Sequence, residues 1–346
     1  MRLDRSARPA PSPTRAGTRS RWTRLALLLT AVPVVAALSL AVGAGGIPPG
    51  TVFDVLLRPD GSEAAVIVHD LRIPRTVLAL AVGAALGLAG ALMQGQTRNP
   101  LADPGLLGIE AGAALAVVLA IALLGVDHIA GYLWFGLAGA GAATVAVLAV
   151  GSRRGGPDPL SLVLAGAATT ALLTAVTQAF VTRDSRSIQA YRVWGSGTVM
   201  GRGIDIFLQA LPLLLLGLLL AVAVAPGLNL LQLGDDVARS LGQHPLRQKI
   251  LGIGAVMLLC GTATAACGPI GFIGLTVPHA ARYLCGVDHR WVAAYSAVLG
   301  GLLLTLADTI GRVVAPPSEV HVGIVTALLG GPVFVVLVRR ARLVRV

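Results

Sequence analysis

The stretch "TRNPLADPGLLGIEAGA", residues 97–113, places a short polar connector between two long hydrophobic segments. Pro100 and Pro104 cannot continue a helix, and each restricts the backbone of the residue before it. Asn99 and Asp103 can accept hydrogen bonds from backbone N–H groups that are freed at helix ends. The stretch therefore predicts a rigid reversal between two helices rather than a flexible loop.

The composition of the whole chain indicates a membrane protein. Of 346 residues, 55% are hydrophobic and 12% are charged, which is too little charge for the surface of a soluble domain. A helix needs about 20 mostly apolar residues to span a bilayer, and the chain offers about ten such runs. The runs are apolar throughout rather than alternating, which excludes a transmembrane β-barrel. The sequence predicts an all-α polytopic membrane protein with about ten transmembrane helices.

The predicted spans are separated by polar connectors. They cover residues 25–45, 76–95, 105–125, 129–150, 160–181, 204–226, 248–266, 270–285, 291–313 and 321–338. Residues 1–24 precede the first span and carry seven arginines and three prolines, so we expect a disordered tail. A basic stretch before an apolar run also resembles a signal peptide, but this run is long for one and similar runs follow it.

The distribution of basic residues predicts the orientation. Cytoplasmic connectors are enriched in lysine and arginine. With the N-terminus inside, 19 of the 27 basic residues fall on the cytoplasmic side and eight on the other. Both termini, including the end at 341–346, are therefore expected in the cytoplasm. The net charge of +11 therefore indicates how the chain is oriented in the lipid bilayer. It does not indicate nucleic-acid binding.

The sequence lacks the motifs of a phosphate-binding loop, a paired-cysteine site and a metal site. Lys249, the only lysine, stands outside a GxxxxGK[ST] motif, so the chain has no phosphate-binding P-loop. Cys260, Cys267 and Cys285 form no CxxC pair, and the six histidines show no metal-ligand spacing. We expect no resident cofactor or metal and no enzymatic activity. Any ATP hydrolysis must come from a separate subunit.

A series of motifs resembles one transporter family. The opening stretch lies inside "GAALGLAGALMQGQTRNPLADPGLLGIEAGA", residues 83–113, which is similar to the signature of the permease subunits of ABC importers for iron–siderophore complexes, haem and cobalamin, the FecCD family. Other motifs stand in the family order: "LRIPR" at 71–75, "VWGSG" at 193–197, "LGDDVARSLG" at 233–242, "CGPIGFIGLTVPHAARYLCGVDHR" at 267–290, "LADTIGR" at 306–312 and "VGIVTALLGGPVFVVL" at 322–337. The resemblance covers about residues 25–340.

The resemblance implies a type II ABC importer permease architecture, with ten helices per subunit over residues 25–340. It also implies a second permease subunit, identical or paralogous, and a pair of ATP-binding subunits on the cytoplasmic side. An extracytoplasmic substrate-binding protein would dock on the outer face. The implied location is the plasma or inner membrane. The implied cargo is an iron–siderophore chelate, with haem or cobalamin as the alternative.

The connector between the sixth and seventh spans, about residues 228–247, is the candidate for coupling to the ATP-binding subunits. Asp236, Ala238 and Gly242 fall where ABC importer permeases carry a Glu-Ala-Ala-x-x-x-Gly pattern, although the Glu has become Asp and the first Ala has become Val237. Two short helices divided by glycine would fit a groove on the ATPase. The alternative is an ordinary solvated connector.

Three arginines are expected on the outer side, where the charge bias disfavours them. Arg72 and Arg75 precede the second span, and Arg312 ends the ninth. Arginine makes bidentate bonds to carboxylates, and the resemblance implies that these three face acidic residues of the binding protein. The alternative is that they reach lipid phosphates at the membrane surface.

Polar side chains in the fifth span are candidates for the pathway. Thr170, Thr174 and Thr177 recur at helical spacing, so they share one face. They either line a path for a large polar chelate or bond to helix backbones. The resemblance places a cytoplasmic gate near the start of this span, which makes Ser161 a further candidate.

Three ionisable residues lie in or near predicted helices, where a charge is costly. Asp308 is four residues before Arg312, which predicts an ion pair along one helix. For His279 we favour a structural hydrogen bond over proton transfer, and Glu110 has no assigned role. Two rival functions are an ion-coupled secondary transporter and a membrane enzyme, but the chain shows neither a convincing internal repeat nor a catalytic cluster.

Overall fold

The computed structural model describes residues 18–43, 46–126, 128–153, 156–157, 159–183, 185–316 and 318–339. The helices are α1 (Thr18–Ala41), α2 (Pro49–Leu57), α3 (Glu63–Val66), a π-helical turn (Ile67–Arg72), α4 (Ile73–Thr97), a 3-10 turn (Pro104–Leu107), α5 (Ile109–Leu124), α6 (Ile129–Gly151), α7 (Pro159–Val181), α8 (Ser185–Trp194), α9 (Ile204–Leu231), α10 (Asp235–Ser240), α11 (Pro245–Cys267), α12 (Ile273–Cys285), α13 (His289–Gly311) and α14 (Val322–Arg339). Two short strands, β1 (Ser152–Arg153) and β2 (Gly156–Pro157), pair antiparallel between α6 and α7.

Each of the ten predicted spans corresponds to a helix, which confirms the all-α membrane architecture. Within the described part of the chain, seven helices are long and apolar enough to cross a bilayer: Thr18–Ala41, Glu63–Thr97, Ile129–Gly151, Leu160–Val181, Ile204–Leu231, Pro245–Cys267 and His289–Gly311. Two shorter apolar helices, Ile109–Leu124 and Val322–Val336, account for the third and tenth spans. The remaining predicted span, the eighth, is α12.

Helix α12 is shorter than a transmembrane helix. Its 13 residues extend about 20 Å, whereas the hydrocarbon core of a bilayer is about 30 Å thick. It begins at Ile273 because Phe272 has a left-handed backbone with φ 69° and Gly268 has φ 78°. The predicted span of 270–285 is therefore a half-length helix that follows a short non-helical segment, residues 268–272.

Other boundaries and connectors differ from the prediction. Helix α1 begins at Thr18, so residues 18–24 of the predicted tail are helical, while residues 1–17 lie outside the described residues. The predicted polar connector at 46–75 contains α2, α3, the π-helical turn and the beginning of α4. The polar stretch after the fifth span contains α8. Helices α2, α3 and α8 are short, so their patterns do not reach the length by which spans were recognised.

Helix α4 lies at the centre of the bundle and packs along α13. Gly83 and Gly87 on α4 lie against the backbones of Gly300 and Ser296 on α13, and a side chain added at either α4 glycine would collide with those carbonyl oxygens. The contact places two backbones side by side, as small residues allow in membrane helices. Gly83 and Gly87 therefore allow close packing between two helices of the same subunit.

The opening stretch forms the rigid reversal that its sequence predicts. Helix α4 ends at Thr97, and Arg98 follows in a left-handed conformation with φ 50°. The side chain of Asn99 accepts a bond from the backbone N–H of Leu101 at 2.9 Å, and that of Asp103 accepts one from Gly105 at 2.8 Å. The two polar residues thus close the turns between α4 and α5, and Pro104 begins the 3-10 turn that leads into α5.

Candidate functional site

The segment between α9 and α11 presents apolar side chains to solvent. Helix α10 lies between Gly234 and Gly242, which both have positive φ and so allow sharp turns. The side chain of Ala238 faces the core and is fully buried. On the other faces, Leu233, Val237 and Leu241 have 60%, 44% and 56% of their surfaces exposed. Exposed apolar residues grouped on a short helix and beside its two ends are typical of a protein contact.

The three predicted coupling residues have different surroundings. Asp236 is exposed and pairs with Arg239 in the same helix. Ala238 anchors α10 to the bundle, and Gly242 ends the helix with φ 81°. The expected pair of short helices is corrected to one, because the chain after Gly242 runs directly into α11 at Pro245. Proline fits the first turn of a helix, which explains why α11 begins there.

Asp235, which the sequence analysis did not single out, fixes α10 to two other elements. One carboxylate oxygen lies 2.6 Å from Nη2 of Arg98 in the connector after α4. The other lies 2.7 Å from Nζ of Lys249 on α11. Partial burial raises the pKa of Asp235, but the hydrogen bonds and charges of Lys249 and Arg98 outweigh burial and hold that pKa below its usual value. Only the three-dimensional fold reveals this link, since the partners are 137 and 14 residues away.

The three arginines predicted to dock a binding protein lie in one group with two acidic residues, which we call the arginine cluster: Arg72, Arg75, Arg312, Asp308 and Glu319. Arg75 donates to Asp308 at 2.7 Å and to Glu319 at 2.7 Å. Arg312 donates to Asp308 at 2.5 Å, which is the predicted ion pair along α13. The cluster therefore joins α4, α13 and the segment before α14.

The arginine cluster also binds the end of α1. Arg72 donates to the carbonyl oxygen of Leu40 at 2.7 Å, and Arg312 donates to that of Ser39 at 2.7 Å. Arg72 and Arg312 are 5% and 2% exposed. The guanidinium groups predicted to face a binding protein thus form hydrogen bonds within the subunit. Glu319 is the more exposed of the two acidic residues in the arginine cluster, with 19% of its side chain exposed.

The polar residues of α7 do not share one environment. Thr177 is buried and donates to the carbonyl oxygen of Leu173 at 2.7 Å, so its hydroxyl serves its own helix. Thr174 is exposed, and Thr170 is half-buried. Ser161 is half-buried at the first turn of α7. Thr174 therefore lies on the open face of the helix, whereas Thr177 points into the subunit.

The remaining ionisable candidates have structural surroundings. His279 lies 2.8 Å from the carbonyl oxygen of Leu275, one turn earlier in α12, which supports the structural interpretation. Glu110 occupies the first turn of α5, and Asp103 of the preceding turn is its charged neighbour. The three cysteines are buried and unpaired in the described structure.

Comparison with known proteins agrees with this architecture over nearly the whole chain. It is 42% identical over 314 residues to the ferric enterobactin transport system permease protein FepD of Escherichia coli, covering 90% of this chain and 94% of that protein. It is 40% identical over 277 residues to the hemin transport system permease protein HmuU of Yersinia pestis, covering 79% and 83%.

The fold has a solved counterpart as well. A metal-chelate type ABC transporter in an inward-facing conformation superimposes with a TM-score of 0.81 at 26% identity, covering 92% of this chain and 99% of that chain. The model of the FecCD transport family matches residues 29–340. The two relatives named above are transport system permease proteins, and the chain belongs to the FecCD transport family.

Proposed function

We propose that this chain is the membrane-spanning permease of an ATP-driven importer that carries an iron–siderophore chelate. The 42% identity to a ferric enterobactin permease across 90% of the chain is the observation that carries the proposal. The chain contains no P-loop motif, so a pair of ATP-binding subunits supplies the energy. A second permease subunit, identical or paralogous, completes the pathway in the plasma or inner membrane.

The coupling contact of this importer lies on α10. Its exposed apolar residues and its two flanking glycines suit a short helix that inserts into a groove of an ATP-binding subunit. The bonds of Asp235 to Arg98 and Lys249 connect a displacement of α10 to α4 and α11. A bulky residue at Gly242 would oppose the positive φ and abolish substrate-stimulated ATP hydrolysis, while the permease would still insert. Normal coupling of this variant in reconstituted vesicles would contradict the assignment.

Docking of a binding protein involves the arginine cluster in this proposal. Arg75 donates to Asp308 deep in the cluster and to Glu319 near its edge. A carboxylate of the binding protein can compete with Glu319 for Arg75, because Glu319 is the more exposed partner and the bond is charge-assisted. Arg312 shares Asp308 with Arg75, and both Arg72 and Arg312 hold the end of α1.

Docking is tested by measuring the affinity of the binding protein for the reconstituted permease. Arg75→Glu should weaken it, and Glu319→Gln should strengthen it because the internal competitor is removed. Arg192→Gln, at an exposed arginine of α8, is the matched control. If the binding protein has the same affinity for all three variants and for the unchanged protein, the arginine cluster is not part of the docking site.

The pathway runs along the open face of α7 in this proposal. Thr174 is exposed and Thr170 is half-buried on that face, so both can present hydroxyl groups to the pathway. Ser161 lies near the cytoplasmic gate. Weak, neutral hydroxyl contacts suit the passage of a large polar chelate. Thr174→Trp should block uptake without preventing insertion, whereas Thr177→Val, at the buried hydroxyl, should leave uptake nearly unchanged.

The cargo is tested by growth and uptake. A deletion strain should fail to grow under iron starvation when a ferric siderophore is the sole iron source, and vesicles containing the full importer should accumulate the chelate only with ATP. Haem is the second candidate, because the hemin permease HmuU is 40% identical, and cobalamin is the third. Accumulation driven by an ion gradient without ATP would instead indicate a secondary transporter.

The proposed orientation places both termini and α10 in the cytoplasm. It follows from the basic residues in the connectors. Cysteine variants at exposed positions, such as Arg58→Cys beyond α2 and Arg247→Cys at the start of α11, distinguish the two sides. In intact cells an impermeant thiol reagent should label the first and not the second. The reverse labelling pattern would invert the topology.

A further inference from the structure

A groove on the membrane face of the subunit has an arginine at one end. It lies between α9 and α13, has a volume of about 610 Å³, and has Leu88 of α4 among its lining residues. One wall is formed by Val222 and Pro226 of α9, and the other by Ala294 and Ala297 of α13. The volume is about twenty times that of one water molecule in the liquid. The groove can therefore hold a chain of several carbon atoms.

The groove opens toward lipid. Alanines three and four residues apart share one face of α13, and their small side chains leave the space that larger residues would fill. On α9, Leu219 and Val222 are 67% and 64% exposed on a helix long and apolar enough to span a bilayer. The exposed surface of α9 thus continues into the groove, and an acyl chain can enter from the bilayer.

Arg290 marks the polar end of the groove. It lies in the first turn of α13, it is exposed, and its guanidinium forms no ion pair among the described residues. Asp288, two residues earlier, accepts a hydrogen bond from Asn229 at 2.8 Å and another from the backbone N–H of Arg290 at 3.1 Å. The positive charge of Arg290 is therefore available at the level where α13 enters the membrane.

We propose that this groove binds one anionic phospholipid, with an acyl chain between α9 and α13 and the headgroup phosphate against Arg290. The apolar walls give no preference among lipids, because the bilayer interior is as apolar as the groove. The choice of headgroup comes from the charge of Arg290, which attracts anionic lipids near the membrane surface. A second copy of the chain is a poorer occupant, since a twofold contact centred here would turn the two Arg290 side chains toward each other.

Lipid retention by the purified full-length chain tests the proposal. In native mass spectrometry after exchange into equal amounts of phosphatidylglycerol and phosphatidylcholine, the unchanged protein should keep one phosphatidylglycerol with about fivefold preference. Arg290→Gln should lose the preference and Arg290→Lys should keep it. Arg247→Gln, at an exposed arginine on α11 that does not line the groove, is the matched control and should behave as the unchanged protein.

A second pair of variants tests the location. Ala294→Trp fills the groove and should remove the retained lipid, whereas a tryptophan at the exposed Leu208 of α9 should not. Equal headgroup preference in the Arg290→Gln and Arg247→Gln proteins would overturn the proposal, even if Ala294→Trp fails to fold. Disulfide-linked dimers of Ala294→Cys in native membranes would also overturn it, because they would show that the groove is an interface between copies.

Discussion

Removing the carboxylate of Asp308 should destabilise the protein more than any other single change in the arginine cluster. Asp308 is 1% exposed and accepts bonds from both Arg75 and Arg312. In Asp308→Ala, two largely buried guanidinium groups lose their shared counter-charge. Breaking a buried ion pair by removing one partner costs about 3–5 kcal/mol, mainly because the other charge is left uncompensated. With two arginines left, we expect a loss at or above the upper end of that range.

The free energy of unfolding in mixed micelles, measured by titration with a denaturing detergent, provides the assay. Glu319→Gln is the matched control, since Glu319 is partly exposed and holds Arg75 by a single bond. Its loss should be smaller, because the amide oxygen of glutamine can still accept a hydrogen bond from Arg75 and Arg75 keeps Asp308 as its counter-charge. A loss in Asp308→Ala no larger than that of Glu319→Gln would refute the reasoning.

A triple variant separates two explanations of the same loss. In Arg75→Met, Asp308→Leu and Arg312→Met combined, the Asp308 carboxylate and the two guanidinium groups that it pairs with are removed together. Well-packed hydrophobic replacements of a buried ionic group are often neutral or stabilising. The triple variant should therefore recover most of the stability lost in Asp308→Ala. If it is as unstable as the single variant, packing rather than charge compensation determines the cost.

Three further predictions concern packing and coupling. Gly87→Leu should prevent folding or cost several kcal/mol, because its side chain would meet the backbone of Ser296; stability assays of the variant against Gly254→Leu, at an open position, check this. Asp235→Asn should lower transport per ATP hydrolysed by releasing α10 from Arg98 and Lys249, and an unchanged ratio in vesicles would contradict it. The lowered pKa of Asp235 means that its ionic bonds stabilise the folded state above the ordinary Asp pKa and are lost as pH falls through the lower folded value. Coupling should therefore show no Asp235-dependent change between about pH 5 and pH 8, which uptake measured across that range in the native and Asp235→Asn importers tests.

Local patterns in the sequence predict the parts of this fold that depend on neighbouring residues. Ten helices follow from runs of apolar residues, although the eighth is too short to span a bilayer, and the turn after α4 follows from Asn99, Asp103 and the two prolines. The ion pair between Asp308 and Arg312 follows from helical spacing, and the structure confirms it. In each case the partners lie within a few positions of each other.

Contacts between distant residues were beyond the reach of the sequence. Nothing local indicates that Arg75 meets Glu319, which lies 244 residues away, or that Asp235 lies between Arg98 and Lys249. The spacing rule also grouped Thr174 and Thr177 on one face of α7, although one is exposed and the other is buried. Residues at helical spacing can lie at opposite margins of one face. Which of them is buried depends on the packing of neighbouring helices.

The close approach of α4 and α13 has a consequence for how the subunit changes shape. At the glycine contacts, carbonyl oxygens of α13 occupy the space that side chains of α4 would fill. No side chains that could change rotamer lie between the two backbones there, so the helices cannot easily slide past each other. Packed interiors of this kind hold discrete arrangements and resist gradual deformation. Helices α4 and α13 should therefore keep the same positions relative to each other during the transport cycle. The helices at the periphery of the subunit should change their tilt instead.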